Sequence, residues 1–310
     1  MRTLQGQNIR ILKKVSGTDS YQVFAKAQSC SFNLTNNTQD GSNKDITGSA
    51  QRPIIVSRGW SVSLDSMDVL DMAALLTSIQ NMEPLDIMFS PVSETDNQTP
   101  VVDAAISPCP LIGKAYLSDA TFNFNDRESS AKQIQFTGAS ELSLTTIPEI
   151  VPVTPSAVYT QGQKIRLLLK RNSNFECVAA AKQLSFHVAL NMEDATTKDT
   201  YGDFQLQEPV GLSYDITSSA LVKSGEEIPS SAPAALNYND VSGMALSGVS
   251  VSTFDWEIAS MQGDNNRNVN AVIVSGKAII TNLTLNANNR QKADYTINLS
   301  GAGAYVVNPS

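Results

Sequence analysis

Tyr21 to Gly48 reads YQVFAKAQSCSFNLTNNTQDGSNKDITG, and Phe175 to Gly202 reads FECVAAAKQLSFHVALNMEDATTKDTYG. Nine positions agree at a constant offset of 154: Ala25, Ala27, Ser31, Phe32, Asn37, Asp40, Lys44, Asp45 and Gly48 each recur in the later stretch. Working outward, GQNIRILKK from Gly6 is answered by GQKIRLLLK from Gly162, and GWSVSL from Gly59 by SYDIT from Ser213, with Trp60 opposite Tyr214. GKAYLSDATFNFNDR from Gly113 is answered by GKAIITNLTLNANNR from Gly276, and Gly138-Ala139 by Gly301-Ala302, both at an offset of 163. The blocks keep their order while loop lengths shift the offset. A repeat of this length decides the organisation before any propensity is consulted. Residues 1–152 and 153–310 read as two tandem domains of one kind. The seam lies in PEIVPVTPSAV, Pro148 to Val158, whose three prolines favour an extended connection.

The pattern inside each repeat is mainly β. Cys177, Ala179 and Ala181 alternate with polar neighbours, and Leu184, Phe186 and Val188 then alternate in the opposite parity. Val23, Ala25 and Ala27 followed by Cys30, Phe32 and Leu34 show the same break. A parity change within one run predicts a β-bulge or a bend between two sheets. Leu117 to Phe124 and Ile134 to Leu144 read as a hairpin around NDRESS, with Ile279 to Leu285 and Tyr295 to Val307 as its counterpart. One helix is clear in the first repeat. Within SMDVLDMAALLTSIQNMEP, the residues Met67, Leu70, Ala74, Ile79 and Met82 fall at helical spacing. Ser66 and Asp68 are placed to cap it, and Pro84 ends it. In the second repeat the longer SGEEIPSSAPAALNYNDVSGMALSG replaces it, read as loop with at most one short helix.

Composition narrows the chemistry. The 310 residues carry 22 Lys+Arg against 30 Asp+Glu, a net charge of −8, with −5 in residues 1–155 and −3 in 156–310. Neither half has the clustered cations that phosphate binding needs. The start, MRTLQGQNIRILKKVSG, lacks the apolar core of a secretory signal, and the apolar runs are too short for a membrane helix, so the expectation is a soluble intracellular product. No nucleotide loop, HExxH or GxSxG is present, and no cofactor or metal is expected. His187, the sole histidine, falls on the polar side of its strand opposite Asn33, the position of a solvated or interface residue. Cys30 aligns with Leu184 and Cys177 with Val23, so both read as small core residues; Cys109, between two prolines, is a loop thiol. Asp255-Trp256-Glu257 has the composition of a sugar site, but its counterpart Asp86-Ile87-Met88 lacks both the aromatic and the second acid, so Trp256 reads as packing. An enzyme is not expected.

Each repeat also carries a long polar segment, TNNTQDGSNKDITGSAQRP and LNMEDATTKDTYGDFQLQEP. Loops of this length without structure of their own are usually functional. Both keep Asp-x-x-x-Lys-Asp-x-x-Gly, as Asp40, Lys44, Asp45 and Gly48 and as Asp194, Lys198, Asp199 and Gly202. With Asn37 and Asn191 these ten residues are the candidate contact set. They read as extended β-hairpin arms that pack on a neighbouring subunit, with turn hydrogen bonds and local ion pairs as the plain role of the acids.

The order of strand, polar loop with this spacing, aromatic strand, helix, strand and Gly-Lys-Ala hairpin resembles the major tail tube proteins of long-tailed bacteriophages, over nearly the whole chain and twice. The resemblance implies a β-sandwich or small barrel of two packed sheets flanked by a helix, and a virion protein whose domains form six-membered rings that stack into a conduit for DNA. Two domains per chain imply a trimeric ring with pseudo-sixfold symmetry. Tape-measure, tail-tip and tail-terminator proteins follow as partners from the resemblance alone. So do DNA passing through the lumen without specific binding, no membrane anchor, and assembly in the host cytoplasm. The alternative is a tandem β-sandwich carbohydrate-binding or adhesive protein.

Overall fold

The computed structural model describes residues 6–15, 17–24, 27–42, 52–67, 69, 71–93, 95, 98–101, 110–144, 148–153, 161–197, 203–222, 235–246, 253–261 and 269–308. The protein is mainly β. The first half holds β1 (Ile9–Lys14), β2 (Tyr21–Val23), β3 (Ala27–Asp40), β4 (Pro53–Ser66), α1 (Met72–Asn81), β5 (Leu85–Pro91), β6 (Leu111–Asn125), β7 (Ala131–Gly138) and β8 (Ser143–Leu144). The second half holds β9 (Ile165–Arg171), β10 (Asn174–Val178), β11 (Ala181–Asp194), β12 (Gln207–Leu221), β13 (Ala235–Leu236) and α2 (Tyr238–Leu246). It closes with β14 (Phe254–Met261), β15 (Val269–Asn286), β16 (Asp294–Gly301) and β17 (Val306–Val307).

In the first half β2, β1, β5, the start of β6 and β8 form one antiparallel layer. A second layer runs β3, β4, β7 and the end of β6. The second half has the same ladders in β10, β9, β14, β15 and β17, and in β11, β12, β16 and β15. The registers coincide at the sequence offsets. Phe32 faces Val62 as Phe186 faces Ile216, and Ala115 faces Gly138 as Ala278 faces Gly301. Strand β13 adds a parallel pairing on β10.

The parity break in the sequence is a bulge. Register shifts fall between Ala27 and Ser29 and between Ala181 and Gln183, turning the apolar set of each strand onto the other face. Two further shifts recur: Asn37/Thr38 with Asn191/Met192, and Leu117/Asp119 with Ile280/Asn282. The turns closing the two long hairpins match as well, with Arg127 and Arg290 both left-handed, at φ 61° and φ 62°.

The paired Gly-Lys-Ala and Gly-Ala blocks have a packing reason. A Cβ on Gly138 would lie 2.4 Å from the Trp60 ring, and one on Gly301 2.5 Å from the Tyr214 ring. Each aromatic lies on its glycines and bonds the adjoining backbone: Trp60 Nε1 donates to the Ser140 carbonyl at 2.7 Å, and the Tyr214 hydroxyl donates to that of Lys277. Both are core residues.

Helix α1 starts later than its spacing predicts. Ser66 stays in β4, paired with Ala27 and Lys132, and the helix begins at Met72, after Asp71. Asp71 makes no side-chain cap; its carboxylate accepts a bond from the buried Lys132 ammonium. Met82, left-handed, closes the helix just before Pro84. Met72, Leu75, Leu76 and Ile79 are buried, each contributing about 2 kcal/mol by removal of apolar surface from water. Among its described residues the second-half insertion contains one helix, the nine-residue α2, preceded by Asn237, whose carboxamide oxygen accepts the Asp240 amide. The Asp240 carboxylate accepts a bond from Arg171.

One apolar cluster runs through both halves, from Ile11 to Tyr305. Helix α1 carries it across the boundary: the Tyr305 hydroxyl donates to the Leu76 carbonyl at 2.8 Å, and Gln80 donates to the Tyr305 carbonyl at 3.0 Å.

Candidate assembly site

The two halves join edge to edge. The end of β6 pairs antiparallel with β11, from Asp119 opposite Ala189 to Asn125 opposite Gln183. A layer of eight strands results, in the order β3, β4, β7, β6, β11, β12, β16, β15. One face of the junction is apolar: Phe186 opposite Phe122 and Val188 opposite Ala120 are fully buried, and Leu184 opposite Phe124 nearly so.

The outer strands of the layer are β3 and β15. Along Ser29–Thr35 and Asn282–Asn286 they have no cross-strand partner on their outer sides among the described residues. Their apolar residues show it. Leu34 is 46 % exposed where its counterpart Val188 is 0 %, and Leu285 is 45 % exposed where Phe122 is 0 %.

The opposite face of the layer is hydrophilic and laced by side chains. Ser31 bonds Ser63 at 2.7 Å, Ser29 donates to Asp65, and Thr217 donates to Asn298 at 3.0 Å. His187 lies on this face, half-exposed, with Nε2 2.7 Å from Asp119 and Nδ1 3.9 Å from Asp215. The histidine is a junction residue on the polar side, as its parity implies. No group of three or more His, Cys, Asp or Glu able to hold a metal occurs among the described residues.

The arms are the hairpins that run past this layer. Asn37 in β3 donates to Ser57 across the first arm at 2.9 Å. Asp40 accepts the Ser42 amide at 2.9 Å, the Ser42 hydroxyl accepts the Arg52 amide at 3.1 Å, and Gly41 donates to the Arg52 carbonyl. The second arm repeats the knot: Asp194 accepts the Thr196 amide at 2.9 Å, the Thr196 hydroxyl accepts the Leu206 amide at 2.9 Å, and Ala195 donates to the Leu206 carbonyl. In each arm the Ser or Thr hydroxyl bond, and then its amide bond, hold the aspartate below the ordinary carboxylate value. Asn191 pairs with Gly211 across the second arm. Lys44, Asp45, Gly48, Lys198, Asp199, Gly202 and Cys109 lie outside the described residues. The sequence reading missed Ser42 and Thr196. Their signal was an Asp-x-Ser/Thr with a second half-knot ten residues later, in both copies.

The arms touch within one chain. Arg58 on β4 donates its amide to the Asp203 carbonyl and accepts from the Gln205 amide, and its guanidinium lies 3.7 Å from the Asp203 carboxylate. Beyond this contact Ile54, Ile55 and Val56 are consecutive and exposed, as is Val210 in the second arm.

Cys177 is buried and Cys30 partly so, with the Cys30 thiol donating to the Ile9 carbonyl at 3.4 Å; burial raises its pKa, the opposite of an activated nucleophile. Trp256 is completely buried, its ring centroid 5.6 Å from those of Phe186 and Tyr214. It cannot serve as a platform for a sugar. Burial, with Asp255 beside it, raises the pKa of Glu257.

No family model matches the chain, and no curated protein matches it. Among solved structures, it is similar to a protein in the C6-symmetric tail of the empty gene transfer agent particle, at 16 % identity and a TM-score of 0.37, over 48 % of this chain and 99 % of that one. A chain of the native gene transfer agent virion matches at 17 % identity and a TM-score of 0.34, over 46 % and 96 %. The SPP1 tail tube matches at 13 % and 0.35, over 46 % and 76 %.

Proposed function

We propose that this chain is a structural virion protein, the major tail tube subunit of a long-tailed phage, built from two copies of one β domain over residues 1–152 and 153–310. Three chains close a six-domain ring, and rings stack into the conduit for DNA. The observation that carries this reading is the edge-on β6–β11 junction, which extends one layer through both halves and leaves, among the described residues, an open strand edge at each end. A layer that ends in two different open edges grows by heterologous contacts, and these close rings or build filaments.

The layer also defines the wall of such a ring. Its apolar face is covered by the second layer and helix α1, bulk that fits the wider outer circumference. The polar face then lines the bore. Across the paired stretches Ser29–Thr35, Ser61–Asp65, Gln133–Thr137, Asp119–Asn125, Gln183–Ala189, Asp215–Ser219 and Thr296–Asn298 it holds Asp65, Asp119 and Asp215 and no lysine or arginine. Such a wall repels phosphate and lets DNA slide. The arms, with Asn37, Asp40, Lys44, Asp45, Gly48, Asn191, Asp194, Lys198, Asp199 and Gly202, are the contacts from ring to ring. Tape-measure, tip and terminator partners, and assembly in the host cytoplasm before incorporation into the tail, belong to the same reading.

Negative-stain electron microscopy of the purified, concentrated protein tests it. Hollow tubes or rings with threefold or pseudo-sixfold end views are expected. Rings of six whole chains would keep the tube and discard the trimer; compact particles that never ring or stack would discard the tube.

A further inference from the structure

We infer that the β15 edge of one chain pairs antiparallel with the β3 edge of a second copy, Asn282–Asn288 against Ser29–Thr35, joining chains head to tail in a single defined register. This rests on the two-copy reading above and gives it atomic content. The template is inside the molecule. In the β6–β11 junction, Gln183 faces Asn125, Leu184 faces Phe124, Phe186 faces Phe122, Val188 faces Ala120 and Ala189 faces Asp119. Moving each residue to its counterpart in the other half, by 154 for β11 and 163 for β6, gives Ser29 opposite Asn288, Cys30 opposite Ala287, Phe32 opposite Leu285, Leu34 opposite Leu283 and Thr35 opposite Asn282.

The new pairs are compatible on both faces. Cys30/Ala287, Phe32/Leu285 and Leu34/Leu283 place apolar residues together on one face. Ser29/Asn288, Ser31/Asn286, Asn33/Thr284 and Thr35/Asn282 place uncharged polar residues together on the other. A shift of one residue would set the apolar set of one strand against the polar set of its partner.

Both edges lack the usual protection. A long open strand is normally blunted by proline, lysine or inward charge. Ser29–Thr35 and Asn282–Asn288 contain no proline and no charged residue. The strands present bare backbone to a partner, with Leu34 and Leu285 the exposed apolar residues along them.

The helices agree. Helix α1 crosses the internal junction to pack on β11 and β17 of the other half, where Tyr305 bonds Leu76. Among the described residues helix α2 packs on β13 and β15 of its own half and on no element of the other: Val241 is its one fully buried residue, and Leu246 stands 82 % exposed. By the same operation α2 lies over β3 and β8 of the next chain, where Leu34 and Leu142, the counterpart of Tyr305, receive it. One contact thus covers the exposed residues of β3, β15 and α2 together. The two surfaces differ, so the contact cannot form a symmetric dimer and must propagate or close.

The test is crosslinking of cysteine pairs in the full chain carrying Cys30→Ala and Cys109→Ser, with buried Cys177 retained. Leu34→Cys with Leu283→Cys should be joined between chains by a short thiol-specific crosslinker, giving dimers and trimers on a denaturing gel. Leu34→Cys with Thr284→Cys puts the second thiol on the opposite face and should give monomer. Circular dichroism matching the parent shows that each variant is folded. Equal linkage in both variants, or none in either, overturns the register. If rings or tubes form without linkage, this pairing falls and the tube reading stands. Linked chains without rings or tubes would keep the pairing and remove the tube. As a second readout, Leu285→Lys should abolish sedimenting assemblies while leaving the thermal midpoint of the unassembled chain unchanged, and assembly that persists counts against the contact.

Discussion

The junction inside the chain and the two open edges at its ends are built from the same strands in duplicate, yet they differ in chemistry. Inside, β6 and β11 meet through Phe122, Phe124, Phe186 and Leu184, all buried in the shared core, and an Asp119–His187 contact marks the polar side. At the ends the corresponding residues are Leu285, Ala287, Phe32 and Cys30, smaller in sum, and Asn282 and Asn33 replace Asp119 and His187. A contact that is never released can be large and apolar and can include titratable groups. One that must stay soluble before it forms is better made of small apolar residues and uncharged amides, because exposed aromatics promote unspecific association. On the proposed reading, that is the difference between a permanent junction and an assembling one.

The largest break in this comparison is expected from matched alanines. Phe186→Ala opens a cavity in the aromatic cluster with Tyr214, Trp256 and Tyr305 and should cost about 3–5 kcal/mol in denaturant unfolding. Phe32→Ala, half-buried on its open edge, should cost the single chain only about 1 kcal/mol while weakening assembly strongly. Equal losses in monomer stability would erase the distinction.

A smaller effect concerns how each helix is tied down. Asp71 holds Lys132 in the first half. In the second, Asp240 precedes Val241 as Asp71 precedes Met72, but it holds Arg171, and Tyr295 stands where Lys132 would be. Asp71→Ala should cost about 2–3 kcal/mol by leaving the fully buried lysine without this carboxylate, the half-exposed acid moderating the loss. A change within measurement error would mean that Lys132 is held by other groups.

The halves should also part in alkali. Burial, with Asp240 nearby, pushes the Tyr295 pKa up to about 12 from 10.0, and burial raises Tyr305 and Tyr214 too. A phenol with a raised folded pKa contributes stability below its unfolded value of about 10, and that contribution is lost as pH climbs from 10 through 12. Burial raises Tyr21 and Tyr116 in the first half as well, but Tyr295 and Tyr305 are the strongly shifted phenols, so the second half should loosen first above pH 10, read by ultraviolet titration of the phenols, and Tyr295→Phe should flatten the profile. Loss of the first half at lower pH would contradict this.

The smallest effect belongs to the arms. Asp40 and Asp194 have folded pKa values below the ordinary 3.8, so their bonds to Ser42 and Thr196 persist at neutral pH and fail only as pH falls below about 4. Protection of the Ser42 and Thr196 amides against exchange, taken relative to the intrinsic rate at each pH, should fall there in both arms alike. Loss of protection already near neutrality would show that the knots do not depend on these carboxylates.

Much of this architecture was legible because repetition turns a sequence into its own control. The parity break before Cys30 and before Leu184 marked a bulge or a bend, since alternation is a local property of a strand, and the ladder registers made it a bulge. That Trp60 and Tyr214 each lie against paired glycines was not legible, because those glycines stand on strands far along the chain. The start of α1 was misplaced because Ser66 and Asp68 have the form of caps, whereas Ser66 is held in a ladder by partners distant in sequence. The candidate arm acids Asp40 and Asp194 were visible; their hydroxyl partners were not singled out, since Ser and Thr are common throughout the chain.

The sequence by itself determined the two-fold repetition of its blocks, the strand-rich character, the parity break in each copy, the polar segments and the net negative charge of both halves, all set by local pattern and composition. Tertiary structure alone decided which strands became edges and that α1 bridges the halves. Those outcomes depend on pairing across a hundred or more residues, as between Leu76 and Tyr305, and no local pattern encodes which partner a strand or an aromatic ring will find.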